Sequence, residues 1–330
     1  MVCMTSLELW RPSADTAMLR YRAGVLRRIR DFFDRLGVLE VDTPVCSRHA
    51  TTDPAIESFA THYTGPGAGR GLNAYLQTSP EFFMKRLLCA GSGPIYQICK
   101  VFRDGESGRR HNPEFTLLEW YRPGYDHHDL MEEVARLVQN LANESLSVEK
   151  LSYREIFERA LSLDPHVADV RLLRECAIER GIAGAEHLDL PHRDGWLDLL
   201  MTHLIEADLG CAGLTFVYDY PASQAALARI SDGDPPVALR FELYWKGVEL
   251  ANGFFELQDA EVQRARFEAD NRQRASNGAP SMPADEWLLE ALQQGLPECA
   301  GVALGIDRLL MALSDRQDIR EVLSFDFERA

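Results

Sequence analysis

The sequence predicts an α+β fold built on a mainly antiparallel sheet. Three observations carry this. Strand-like segments come in pairs, "PIYQICKVFRDG" with "PEFTLLEWY" and "VALRFELYW" with "VELANGFFEL", and hairpin-linked strands run antiparallel. Helix-period segments occupy residues 16–36 and 79–91. Residues 126–210 are mostly helical in pattern and read as an insertion or flanking layer, after which strand character returns. With 330 residues the chain is long enough for one large core, and residues 1–330 read as one domain carrying that insertion.

Taken in order, "TAMLRYRAGVLRRIRDFFDRL" repeats Leu19, Leu26, Ile29, Phe33 and Leu36 at helical spacing, and Gly37 ends the helix. "VLEVDTP" is a short strand that Pro44 stops. "GPGAGRG" at 65–71 has the glycine content of a phosphate loop, but no G-K-[ST] follows, so a hairpin tip is expected there. "SPEFFMKRLLCAG" opens on Ser and Pro before an apolar run and closes at Gly91. Two strands follow, joined by a loop of eight or nine residues. "GLTFVYDYP", the hairpin turning at Lys246-Gly247, and "CAGVALGI" complete the strands. No internal repeat or low-complexity tract interrupts them.

Composition excludes several classes. A net charge of −16 argues against broad nucleic-acid binding, so DNA is not an expected partner; a local cluster of Arg103, Arg109, Arg110 and Arg122 would suit a small polyanion such as a nucleotide. No apolar run approaches the roughly 20 residues of a membrane span, and the start has no basic region followed by an apolar one. Seven scattered cysteines without a C-x-x-C pair fit reduced thiols, and a cytoplasmic location is expected.

Three constellations carry chemistry. In the first, a strand over about 113–121 puts Phe115, Leu117, Glu119 and Tyr121 on one face and Thr116, Leu118 and Trp120 on a core face, with Arg103 near the loop end of the preceding strand. An arginine beside an aromatic platform can hold a phosphate while the ring stacks on a base; the alternative is an ion-pair-rich surface hairpin. In the second, the Lys246-Gly247 turn sets Trp245 opposite Val248 and Tyr244 opposite Glu249, leaving Glu242 and Glu249 on one face. Paired acids suit Mg²⁺ shared with nucleotide phosphates, or else lie on a solvated face. A bulge at Ala251-Asn252-Gly253 would bring Asn252, Phe254 and Glu256 to that face. In the third, "GVALGIDRLLMAL" leads a small-residue strand into a helix that Asp307 can cap, with Arg308 in its first turn, where a cation is unfavourable unless it meets an anion. Gly305 allows close approach of a ligand; the alternative is an arginine turned to solvent.

The three in this order resemble the class II aminoacyl-tRNA synthetases over nearly the whole chain. Motif 1 is similar to the first helix, strand and Pro44; motif 2 to Phe102-Arg103, a loop and "RRHNPEFT"; motif 3 to "GVALGIDRL". "SPEFFMKRL", "EFTLLEWY" and "ELANGFFEL" resemble the lysyl-tRNA synthetases. Motif 1 begins almost at the N-terminus, leaving no room for their anticodon-binding barrel, and Ala303 stands where they carry glycine. Both departures resemble a paralogue family, the elongation factor P–(R)-β-lysine ligases.

That resemblance implies a six- or seven-stranded antiparallel sheet flanked by helices and a homodimer through motif 1. It implies ATP as substrate, Mg²⁺ as cofactor, (R)-β-lysine or lysine as the amino acid, and elongation factor P rather than tRNA as acceptor. Arg103 and Arg308 are the implied catalytic cations. Asp104, Gly105, His111, Asn112, Phe115, Glu249, Leu250 and Gly305 join them at the nucleotide, and Glu242 and Glu249 hold the metal. Ser79, Pro80, Glu81, Glu119, Tyr121, Asn252, Glu256 and Ala303 line the amino-acid site. Where the synthetases read F-R-x-E, this chain has Phe102-Arg103-Asp104-Gly105, so backbone groups or a shifted Glu106 take over that contact. Rival expectations are a truncated lysyl-tRNA synthetase, an amino-acid:carrier ligase, or a non-catalytic regulatory subunit.

Overall fold

A computed structural model describes residues 9–69 and 71–330. Residues 1–8, which belong to the segment read as carrying no leader, and Arg70 of the glycine-rich stretch lie outside them. The chain divides into two compact units, one made of residues up to Tyr125 together with Leu257–Ala330, the other of Asp126–Glu256.

The first unit opens with α1 (Thr16–Arg35), β1 (Leu39–Glu40), β2 (Cys46–Ser47), β3 (Ala60–Tyr63), β4 (Leu72–Leu76), α2 (Glu81–Cys89), β5 (Ile95–Phe102) and β6 (Glu114–Pro123). The second contains α3 (His127–Ala142), β7 (Val148–Ser152), α4 (Tyr153–Leu161), α5 (Val170–Glu179), α6 (Arg193–Leu200), β8 (Leu214–Pro221), β9 (Val237–Trp245) and β10 (Val248–Phe255). The chain then adds α7 (Ala260–Ser276), α8 (Glu286–Gln294), β11 (Cys299–Gly305) and α9 (Ile306–Ser314) to the first.

The main sheet has eight strands in the order β1-β5-β6-β11-β10-β9-β8-β7, one more than the upper expectation. The additional strand is β7, inside the stretch read as helical. β1 and β7 pair in parallel with their neighbours, and the other pairs with a described register are antiparallel. β3 and β4, on either side of the glycine-rich stretch, pair antiparallel, as the expected hairpin tip between them requires. β1 keeps only two residues of the strand expected before Pro44, and the β5–β6 loop runs over 103–113, longer than expected.

In the first unit α1 buries Met18, Val25, Ile29 and Phe33. Ile29 and Phe33 are buried as expected, whereas Met18 and Val25 are buried in place of their neighbours Leu19 and Leu26, and Leu36, at the C-cap, is exposed. Phe33 stacks on Tyr96 at 4.5 Å and meets Trp120 edge-on at 5.3 Å, so α1 covers the Leu118–Trp120 face of β6 as expected. In the second unit Tyr153, Phe157, Leu173 and Trp196 from α4, α5 and α6 pack with Val217 and Tyr244 of the sheet. The β9–β10 turn has the expected register, Trp245↔Val248 and Tyr244↔Glu249. Lys246 (φ 55°) and Gly247 (φ 67°) are both left-handed, the conformation whose twist matches a two-residue hairpin.

Candidate active site

In the first unit, β6 lies between β5 and β11, and one row crosses the three strands: Gln97↔Glu119↔Ala303. Opposite residues share a face, so the Ala303 methyl stands beside the Glu119 carboxylate. Glu119 is buried, and it accepts from the Ser79 hydroxyl at 2.7 Å and the Tyr121 phenol at 2.8 Å. Ser79 also accepts from the Glu81 backbone N–H at 3.0 Å, just past Pro80, the N-cap of α2. Ser79, Glu119, Tyr121 and Ala303 are therefore assembled as the sequence led us to expect. Glu81 is committed elsewhere: its carboxylate pairs with Lys85, one helical turn on, at 2.7 Å. Gln97, missed from sequence, is buried in the same row with neither end of its amide hydrogen-bonded. Strand parity was the signal that would have found it.

The loop after β5 is pinned at several points. The Arg103 N–H donates to Pro113 O and the Asp104 N–H to Glu57 O, while Gly105 takes φ +82°. The Arg103 guanidinium covers the Phe115 ring at 5.2 Å and reaches Glu106 at 3.4 Å, while its Nε is buried without an acceptor. Glu106 thus contacts Arg103 from one position later than in the F-R-x-E pattern. Gly108 and His111 pair as a tight bridge. Arg308, in the first turn of α9, donates to His111 Nε2 at 2.6 Å and to Arg110 O at 3.3 Å. That contact places the neutral ring's proton on Nδ1, and loss of hydration together with Arg308 holds the imidazole below its ordinary pKa. Asn112 uses both ends of its amide inside the protein, donating to Glu114 O at 2.6 Å and accepting from the Phe327 N–H at 3.0 Å. Its side chain therefore anchors the loop to the segment around Phe327. Arg122 does not join this arginine cluster. It sits eight residues along β6 from Glu114, about 25 Å at strand rise, and stacks on Tyr125 at 4.7 Å.

Asp307 is not the cap of its own helix; Gly305 occupies that place. The buried Asp307 carboxylate accepts from the Thr116 N–H at 2.7 Å and from Arg22 at 2.5 Å, and Arg22 also donates to the Thr116 hydroxyl at 2.7 Å. This clamp ties α1, β6 and α9 together on both sides of Phe115 and Arg308.

In the second unit, Glu242 and Glu249 share a face through the β9–β10 register. The bulge comes earlier than expected, with the register shifting between Glu249 and Ala251. Leu250 is thus the extra residue, its backbone outside the ladder pairs, and Asn252 falls directly opposite Glu242. Glu242 accepts from the Tyr220 phenol at 2.7 Å, the Tyr244 phenol at 2.6 Å and the Arg240 guanidinium. Burial first, then the Glu242 charge, pushes both phenols well above their ordinary pKa, so they remain donors. Glu256 is also buried. Among the described residues no cluster of three or more acidic, histidine or cysteine side chains suits a metal. Two carboxylates on one face, one already held by three donors, nevertheless fit an ion completed by phosphate oxygens and water, the usual setting of Mg²⁺.

Fold and site together define a class II synthetase catalytic domain. The family model for tRNA synthetases class II (D, K and N) matches residues 4–329, and the chain belongs to this family. Its relatives include proteins named elongation factor P–(R)-beta-lysine ligase. The one from Edwardsiella ictaluri is 51% identical over 99% of this chain and 100% of its own length. That from Pseudoalteromonas translucida is 51% identical over 98% and 100%, and that from Pectobacterium atrosepticum 50% over 99% and 100%.

Proposed function

We propose that the chain is an ATP-dependent ligase that activates (R)-β-lysine as its adenylate and joins it to a lysine side chain of elongation factor P. The observation that carries this is the row Glu119↔Ala303: a buried carboxylate for a substrate ammonium, with a methyl group beside it where an α-amino group would need space. The names of relatives that match over essentially their full lengths support the same substrates.

In the first step a carboxylate oxygen of the amino acid attacks the α-phosphorus of ATP, the bond to the β-phosphate breaks, and pyrophosphate leaves. Arg103 supplies the charge for this step; its buried Nε is a donor awaiting an acceptor. Arg308 and His111 serve the nucleotide tail, Phe115 the adenine, and backbone groups of Asp104, Gly105, Leu250 and Gly305 complete the contacts. Glu242 and Glu249 would hold Mg²⁺, which neutralises phosphate charge when bound. In the second step the acceptor's ε-amine attacks the acyl carbon, an amide forms, AMP leaves, and the amine sheds a proton. Ser79, Pro80, Glu81, Tyr121, Asn252 and Glu256 line the amino-acid site in this scheme. No helix among the described residues is long and apolar enough to cross a membrane.

The test is intact-mass measurement of elongation factor P after incubation with enzyme, ATP and each lysine isomer. One added lysyl group is expected with (R)-β-lysine, and Ala303→Gly is expected to shift the preference toward α-lysine. An acceptor of unchanged mass would refute the transfer, and an unchanged isomer preference in the variant would refute the role of Ala303.

A further inference from the structure

On β9 the alternation Arg240-Phe241-Glu242 puts residues 240 and 242 on one face, and the bulge at Leu250 brings Asn252 to the same face of β10. Arg240 there serves three acceptors with three nitrogens. Nε donates to Asn252 Oδ1 at 3.1 Å, Nη1 to the Gln224 carbonyl at 3.0 Å, and Nη2 to Glu242 Oε1, while the guanidinium lies over the Tyr220 ring at 4.5 Å. A guanidinium only donates, so the Asn252 atom facing it must be the oxygen. The orientation of that amide is therefore fixed by chemistry, and Nδ2, with two protons, is the end left for a ligand.

Resting on the function proposed above, we infer that Arg240 is a positioning residue that presents Asn252 Nδ2 as a donor to the substrate's carboxylate. With both amines protonated, a lysine-like amino acid has no other acceptor, so Asn252 addresses its carboxyl end and not its ammonium. The same fork holds Glu242, so one arginine orients the residue proposed for the amino acid and the residue proposed for the metal. The sequence signal was available in the R-x-E spacing that precedes a two-residue turn.

The experiment is calorimetric binding of (R)-β-lysine to the full chain and to Asn252→Ala, Arg240→Gln, Arg240→Lys and Asn252→Asp, with the Asn252→Ala/Arg240→Gln double variant. Asn252→Ala and Arg240→Gln are each expected to weaken binding about tenfold. The double variant is expected to bind no worse than Asn252→Ala, because Arg240 acts through Asn252. Arg240→Lys keeps the charge without the fork and should remain weakened. Asn252→Asp keeps the oxygen for Arg240 but replaces the donor with a second acceptor, so it should bind more weakly than Asn252→Ala. Should Arg240→Gln fail to fold, the Asn252→Asp and Arg240→Lys comparisons decide the matter. Additive losses in the double variant, wild-type affinity in Arg240→Lys, or Asn252→Asp binding as well as wild type would each overturn the inference. Wild-type affinity in Asn252→Ala would overturn it as well, whereas failure of the unaltered chain to bind (R)-β-lysine would fault the function it rests on.

Discussion

At the scale of single residues, Arg103 is the most exposed to test. Its guanidinium is oriented by the Phe115 face and by Glu106, so it is placed before any ligand arrives. Losing one preorganised donor typically costs about 3–4 kcal/mol in the transition state. Arg103→Ala is expected to lower amino-acid-dependent ATP–pyrophosphate exchange by about a hundredfold or more while leaving the circular dichroism spectrum unchanged. Near-normal exchange in a folded variant would remove Arg103 from the chemistry. Much at this scale was legible. Glu119 with Tyr121, and Glu242 with Glu249, follow from strand parity and a two-residue turn, both of which are local, whereas Ser79 was expected only through the family resemblance. Two pairings were not read: Glu81 with Lys85, one helical turn on, and Asn112 with Phe327, 215 positions away. A one-dimensional pattern lists a side chain's capacity for hydrogen bonds but not which partner claims it.

At the scale of elements, the Arg22–Asp307–Thr116 clamp shows the same limit. Asp307 looked like a helix cap because caps are local, yet its partners lie 191 and 285 positions away. Removing one member of a buried pair strands the others, at a cost of about 3–5 kcal/mol. Asp307→Ala is therefore expected to lower the unfolding free energy measured by urea titration by that amount, with α1 loosened first in hydrogen exchange. A loss under 1 kcal/mol would mean the clamp is replaceable. The bulge was expected two residues too late because Gly253 seemed the natural site for it, whereas the ladder places the extra residue at Leu250. The hydrophobic pattern permits either position; only pairing with β9 decides. On α1 Ile29 and Phe33 were read correctly, but Val25 is buried in place of Leu26, and an apolar pattern alone does not choose between two adjacent apolar residues.

At the scale of the whole molecule, the fold class and nearly every strand were readable. The exceptions were β7, whose five residues lie in parallel against β8, a distant partner in sequence, and the short strands β2, β3 and β4, of which only the hairpin tip between β3 and β4 was expected. Tyr21, Leu36 and Leu39 remain exposed on α1 and β1, the part of the chain that resembles motif 1. Apolar side chains left there favour the homodimer that the resemblance to motif 1 implies. Sedimentation is expected to give twice the 37.2 kDa chain mass, and Leu39→Arg should shift the population toward the monomer. A wild-type chain sedimenting at 37.2 kDa at micromolar concentration would contradict that assembly.

The tether between Asn112 and Phe327 makes the seating of one loop depend on a residue 215 positions away. Damage around Phe327 is therefore expected to free the neighbourhood of His111 while leaving the strands of the hairpin paired, a fault of placement and not of folding.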